Sequence, residues 1–146
     1  MNEDIQHPVL GIDHGEARIG LAITDPVGIM AHPLETIHVK TTSPIDRIKE
    51  LIDQRQVKQI VLGLPIRMDG TEGTAAEKIR KFGANLMTEI DLPLHYIDES
   101  LTTIAAAEKL HQAGRNAKQQ KSIIDQAAAV EILSTWLSQN SPEPFF

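Results

Sequence analysis

Val9-Leu10-Gly11-Ile12-Asp13-His14-Gly15-Glu16-Ala17-Arg18-Ile19-Gly20-Leu21-Ala22-Ile23-Thr24 decides the fold. Two apolar runs flank a short polar turn. The first ends at Asp13-His14-Gly15, and the second resumes at Ile19 and stops at Thr24-Asp25-Pro26. A parallel crossover needs a dozen or more residues, so runs this close together form an antiparallel hairpin. Ile29 to Val39 reads as a third strand, which Pro33 breaks or confines to a sheet edge.

Beyond that meander the rhythm changes. Ser43 before Pro44 has the pattern of a helix start, and Ile45, Ile48, Leu51 and Ile52 recur at helical spacing. Ile60-Val61-Leu62 reads as a buried strand, stopped by Gly63-Leu64-Pro65. Thr74 and Glu77 have capping-box spacing for a second helix to about Met87. Leu94-His95-Tyr96-Ile97 is a short strand that ends on Asp98-Glu99. A helix from about Thr102 to Gln112 is expected to stop at Gly114. The last helix starts near Ala117 or Ser122 and runs to about Ser138, with a loose tail after about 139. Three strands followed by alternating helices and strands predict an α/β protein: a mixed five-stranded sheet with helices on both faces, folded as one domain over 1–146.

Of the 146 residues, 41% are apolar and 23% charged, a globular balance. Cysteine is absent, which excludes disulfides and thiolate metal sites. The acidic start Met-Asn-Glu-Asp lacks the pattern of a signal peptide, and no apolar run approaches the ~20 residues that span a bilayer. A cytoplasmic protein with no membrane partner is expected. The net charge of −6 is unevenly spread. Residues 1–46 hold seven acids and two bases, whereas Lys109, Arg115, Lys118 and Lys121 lie in a stretch without any acid. Such a segment suits either a phosphate backbone or a solvated helix surface, and composition does not separate the two.

The acids carry the chemistry. Asp13 stands where one strand runs out, and Asp98 and Glu99 where another does. Ligands of open α/β sheets gather beyond the carboxyl ends of strands. Asp125, Ala128, Ala129, Ile132 and Trp136 fall on one helical stripe, which places an acid on a largely apolar face. A buried unpaired carboxylate is costly, and a divalent cation with oxygen ligands would relieve it. Ser122 and Asp125 also have capping-box spacing, so the residues alone leave two readings.

Four segments resemble the YqgF (RuvX) family of bacterial pre-16S rRNA nucleases. They are Gly11-Ile12-Asp13-His14-Gly15 with Arg18-Ile19-Gly20-Leu21-Ala22; Gly63-Leu64-Pro65 with Met68-Asp69-Gly70-Thr71; Asp98-Glu99-Ser100-Leu101-Thr102-Thr103; and Asp125-Gln126-Ala127-Ala128-Ala129 with Ile132-Leu133. They occur in order from Val9 to Leu137. The resemblance implies a ribonuclease H-like, resolvase-type fold and phosphodiester hydrolysis with Mg²⁺ or Mn²⁺. It implies Asp13, Glu99 and Asp125 as catalytic and metal-ligating carboxylates, with Asp98 as a helper ligand. The implied substrate is the 5′ end of precursor 16S rRNA, with association to the ribosome. Ser100 departs from the family's usual arginine, which removes a phosphate contact or an ion pair beside the site. His14 replaces a commonly apolar or aromatic residue and is a candidate to face substrate.

Arg18, Arg67, Lys118 and Lys121 are the candidate nucleic-acid contacts, and two cations on the carboxylates would serve an in-line displacement. The Gly70–Thr74 loop leads into a helix N-terminus that suits either a phosphate or ordinary capping. Resolution of branched DNA would use the same carboxylates. A non-catalytic transcription or ribosome-associated factor would not need all three acids. An actin-like ATPase needs two such domains, and this chain has room for one.

Overall fold

The computed structural model describes residues 6–99 and 117–140, the latter with side chains from 124 onward. The expected helix from Thr102 to Gln112, the Gly114 cap, Lys109, Arg115, Ser100 and the tail after Asn140 lie outside the described residues. The meander is present as β1 (Val9–His14), β2 (Arg18–Thr24) and β3 (Ala31–His38). α1 (Pro44–Arg55), β4 (Gln59–Leu64), α2 (Thr74–Glu89) and β5 (Leu94–Asp98) follow, and α3 (Ala117–Asn140) is the last described helix.

The sheet order is β3-β2-β1-β4-β5. β1 pairs with β2 antiparallel, and β4 and β5 join parallel on the other side of β1. The carboxyl ends of β1, β4 and β5 therefore share one sheet edge, which holds Asp13 and Asp98. Pro33 sits on β3, an edge strand, and the β2–β3 register shifts beside it, between Leu21 and Ala22. The third strand begins two residues later than the expected Ile29. The Asp25 carboxylate takes the backbone N–H groups of Gly28, Ile29 and Met30 and holds them in a turn, out of the ladder.

Alternation along each strand sorts side chains to two faces. Leu10, Ile12, Ile19, Leu21, Ile60 and Leu62 pack under Ile48 and Leu51 of α1 and Ala76, Ile79 and Leu86 of α2. Val9, Ala22, Val61 and Ile97 pack on the opposite face under Ala129, Ile132, Leu133 and Trp136 of α3. Each fully buried aliphatic side chain contributes about 1.5–3 kcal/mol of transfer free energy.

One helix start follows expectation and the other does not. Ser43 is the N-cap of α1, with Pro44 opening the helix, but its side chain makes no capping hydrogen bond. At α2 the cap is Gly73, not Thr74, and Thr74 is already helical. The Arg67 guanidinium lies so close over Gly73 that a Cβ there would collide with it. The capping-box spacing is one residue out of step with the helix start. Among the described residues no helix is long and apolar enough to cross a membrane.

Candidate active site

Asp13 is the fifth residue of β1, on the face covered by α3. Its neighbours on that face are small. Gly20 pairs with Asp13 on β2. Gly63 on β4 follows Leu62, the partner of Ile12. Each glycine makes room for another acid.

Over Gly20 lies the backbone of Asp125, close enough that a Cβ on Gly20 would overlap its carbonyl oxygen. α3 thus rests on the sheet at backbone level. The same closeness recurs at Gly11, where a Cβ would stand 3.0 Å from the Leu133 Cβ. Asp125 is well inside α3, eight residues beyond Ala117, so it does not cap the helix start.

Over Gly63 lies the Glu99 side chain, whose Oε2 would stand 3.0 Å from an added Cβ. β5 is separated from β1 by β4, so Glu99 reaches Asp13 only by crossing the space a side chain at position 63 would fill. The Glu99 N–H donates to the Leu64 carbonyl at 3.2 Å, which prolongs the β4–β5 ladder by one residue. Alternation then puts Glu99 on the face of Ile97 and Asp13, and Asp98 on the other face, where it is exposed.

The carboxyl groups of Asp13 and Glu99 share a hydrogen bond. One of them must supply its proton. Burial, then the Asp13 charge, pushes Glu99 up to about 9, and burial also raises Asp13. The pair therefore holds one proton in common through neutral pH. Burial raises Asp125 as well, against the opposing pull of Arg18. Arg18 Nε donates to Asp125 Oδ2 at 2.7 Å.

The structure thus brings Asp13 and Glu99 together and sets Asp125 beside them, but pairs it with Arg18. Among the described residues no three acid or histidine side chains converge on one point closely enough to hold an ion. His14 is turned to the opposite face, its ring 4.3 Å from that of Phe82, and burial lowers its pKa, which favours the neutral ring. Arg67 stands over Gly73 at the start of α2, in a turn closed by the Gly70 N–H to the Arg67 carbonyl. Lys118 and Lys121 lie on α3, but their side chains are outside the described residues.

Residues 7–139 match the RuvX family, described as "Holliday junction resolvase". The chain belongs to the RuvX family. A relative from Cutibacterium acnes, named as a candidate pre-16S rRNA nuclease, is 44% identical over 89% of this chain and 81% of its own. One from Lactobacillus gasseri, of the same name, is 42% identical over 88% of this chain and 94% of its own. Among solved structures, Thermus thermophilus RuvC in complex with a Holliday junction aligns with a TM-score of 0.56. It has 18% identity and covers 95% of this chain and 100% of its own. The RuvX chain shares the ribonuclease H-like fold of that resolvase.

Sequence reasoning missed two features of this RuvX site. Gly11, Gly20 and Gly63 form a floor without side chains beneath α3 and Glu99. A signal existed, because glycine inside an otherwise apolar strand marks a close approach. The Arg18–Asp125 pair spans 107 residues of sequence, and no spacing rule reaches that far.

Proposed function

We propose that this chain is a metal-dependent endonuclease that hydrolyses phosphodiester bonds and trims the 5′ end of precursor 16S rRNA in the cytoplasm, in association with the ribosome. The observation that carries the proposal is the carboxyl pair of Asp13 and Glu99, meeting across Gly63 at the carboxyl edge of the sheet. Its relatives, named as candidate pre-16S rRNA nucleases, supply the substrate.

The donor set fits a divalent cation. All the groups are oxygens, which Mg²⁺ and Mn²⁺ prefer. Two half-buried carboxyl groups that now need a shared proton would both ionise beside a cation. Asp13 and Glu99 would hold it, with Asp125 facing it over Gly20 and Asp98 at the rim. Bound there, the ion would polarise a phosphoryl oxygen and lower the pKa of a coordinated water.

The chain's own residues do the rest. Glycines at 20 and 63 fix the separation of the three acids. α3 covers the adjoining sheet face and limits access of water to it. Arg18, Arg67, Lys118 and Lys121 are the contacts proposed for the phosphate backbone, and they offset the repulsion between acids and substrate.

Branched DNA is the second reading, favoured by the description of the family and by RuvC bound to its junction. Purified protein with Mn²⁺ should cleave precursor 16S rRNA at its 5′ end, and Asp13→Asn should not. Cleavage of a four-way DNA junction with intact rRNA would move the assignment to branched DNA. Equal activity of the Asp13→Asn variant would sink the site itself.

A further inference from the structure

We infer that the turn after β4 is a nucleobase-binding finger, in which Met68 packs against an unpaired base of the substrate at the rim of the carboxyl site. This rests on the nuclease reading above and deepens it. The acids and cations of that reading act on phosphate, and Met68 adds a contact to a base.

Single exposed apolar side chains are common on protein surfaces. Met68 differs in degree, in place and in setting. It is 105% exposed, more than Val27, Ile29, Met30 or Met87. Val27, Ile29 and Met30 stand between β2 and β3, at the sheet end opposite Asp13. Met87 stands in the last turn of α2, where the chain turns back toward β5. Among the described residues, Met68 is thus the one large exposed apolar side chain at the carboxyl edge of β1, β4 and β5. β4 ends at Leu64, whose carbonyl accepts the Glu99 N–H. The four residues from there to Met68 span at most ~14 Å, so Met68 stays beside the site.

The turn that carries it is preformed. The Gly70 N–H donates to the Arg67 carbonyl at 2.8 Å, and the Arg67 N–H to the Thr71 carbonyl at 2.9 Å. Asp69 Oδ1 accepts the Thr71 N–H at 2.9 Å and the Thr71 hydroxyl at 2.7 Å. Gly70 has a φ of +87° with open space around it, so backbone conformation and not crowding calls for glycine there. These bonds hold the backbone whether or not Met68 touches anything. Covering its side chain therefore costs little further ordering of the loop.

The neighbours favour nucleic acid as what covers it. Arg67 adjoins Met68 and is exposed. Glu72 is paired with Arg80, Nε to Oε1 at 2.6 Å and Nη2 to Oε2 at 2.7 Å, which offsets its repulsion of phosphate. The turn thus presents a cation for phosphate and a methionine for a base, side by side. Methionine is unbranched and polarisable and packs well on aromatic faces. Every base offers such a face, so the contact tolerates sequence. A paired base keeps its faces stacked within the helix, and only an unpaired one can meet Met68. The finger therefore favours a single-stranded segment over a duplex.

Fluorescence anisotropy with labelled RNA from the 5′ precursor segment of 16S rRNA tests this. Full-length chain carrying Asp13→Asn is used with Mn²⁺, so that the RNA stays intact. Adding Met68→Ser should weaken binding of the single strand by ~10-fold and leave binding of the same sequence as a duplex unchanged. Met68→Phe should restore the affinity. The salt dependence should keep its slope in Met68→Ser, because no phosphate contact is lost. An abasic nucleotide at one position should cost the same ~10-fold, with no further loss in Met68→Ser. Unchanged affinity in Met68→Ser would overturn the inference, as would equal losses on single strand and duplex or a lowered salt slope. So would a Met68→Phe that stays weak, or losses that add at every abasic position. Those outcomes leave the nuclease reading standing while wild type cuts the RNA. A wild type that neither binds nor cuts it overturns both.

Discussion

Asp13 and Asp25 occupy similar places in the sequence: each ends an apolar run, just before a turn. The structure treats them in opposite ways. Asp25 receives the Gly28 N–H at 2.6 Å, the Ile29 N–H at 2.9 Å and the Met30 N–H at 3.3 Å, and these donors, with Ile29 foremost, pull it down to about 2. Asp13 faces another acid. It is half-buried, shares a hydrogen bond with Glu99, and stands in the field of Asp125. One end of the β1–β2 hairpin therefore carries an acid held by backbone N–H groups. The other carries an acid that faces a second carboxyl group. A strand-end carboxylate surrounded by donors closes a turn, whereas one facing another carboxyl group holds a proton in common with it.

The sharpest way to break that contrast is to neutralise each acid in turn. Glu99→Gln should lower the single-turnover rate at saturating Mn²⁺ by ~10³-fold or more, about 4 kcal/mol of transition-state stabilisation. Asp98→Asn should cost less than ~10-fold, because Asp98 is exposed, on the sheet face away from Asp13, and acts on Glu99 through its charge. A dead Asp98→Asn beside an active Glu99→Gln would mean that the ladder ends before Glu99 and the pleat is read one residue out of phase.

A methyl group tests the same contrast sterically. Gly63→Ala places a Cβ 2.6 Å from the Ile132 Cδ1 and 3.0 Å from the Glu99 Oε2. The isoleucine tip can yield, and Glu99 yields by leaving Asp13. The expected cost is about 1–3 kcal/mol of stability. Displacing a catalytic group by an ångström also costs up to ~10²-fold in rate. Gly28→Ala is the counterpart in the other region. Its φ of +83° and the His7 ring above it make alanine strained there as well. That variant should lose stability and keep its rate constant. Equal rate losses for both would show that the glycine at 63 serves the fold and not the carboxylates.

Most of the fold was legible because its determinants are local. The hairpin follows from two apolar runs with no room for a crossover, and the α3 stripe of Ala128, Ala129, Ile132 and Trp136 is the stripe that is buried. The edge position of β3 was visible in Pro33. Its start was not, because Asp25 captures three N–H groups through a turn geometry that spacing does not encode. The α2 cap was misplaced by one residue, since Gly73, without a side chain to cap, takes the N-cap position that the Thr74–Glu77 spacing suggested for Thr74. At the site, the family resemblance named Glu99, and the continued ladder sets Glu99 and not Asp98 on the face of Asp13. What stayed hidden is what depends on distant parts of the chain meeting: Arg18 with Asp125, and Glu99 with Asp13 over Gly63.

The two regions should also respond to pH with opposite sign. Glu99 is raised on folding, so the folded state holds a proton that the unfolded chain has released above its ordinary value of 4.5. Its contribution is fully present below that value and declines as pH rises toward about 9. Asp25 is lowered on folding, so its contribution is present above the ordinary 3.8 and is lost as pH falls toward about 2. Thermal melts of metal-free protein from pH 2.5 to 9 should therefore fall on both flanks. Glu99→Gln should flatten the alkaline flank, because the amide neither binds nor releases a proton beside Asp13. Asp25→Asn should flatten the acid flank, lower the melting temperature at neutral pH, and leave the cleavage rate unchanged, since Asp25 lies at the opposite sheet end from Asp13. This is the smallest of the expected effects on catalysis and the most specific. An alkaline flank that survives Glu99→Gln would place the shared proton elsewhere, and the contrast between the two strand ends would lose its chemical basis.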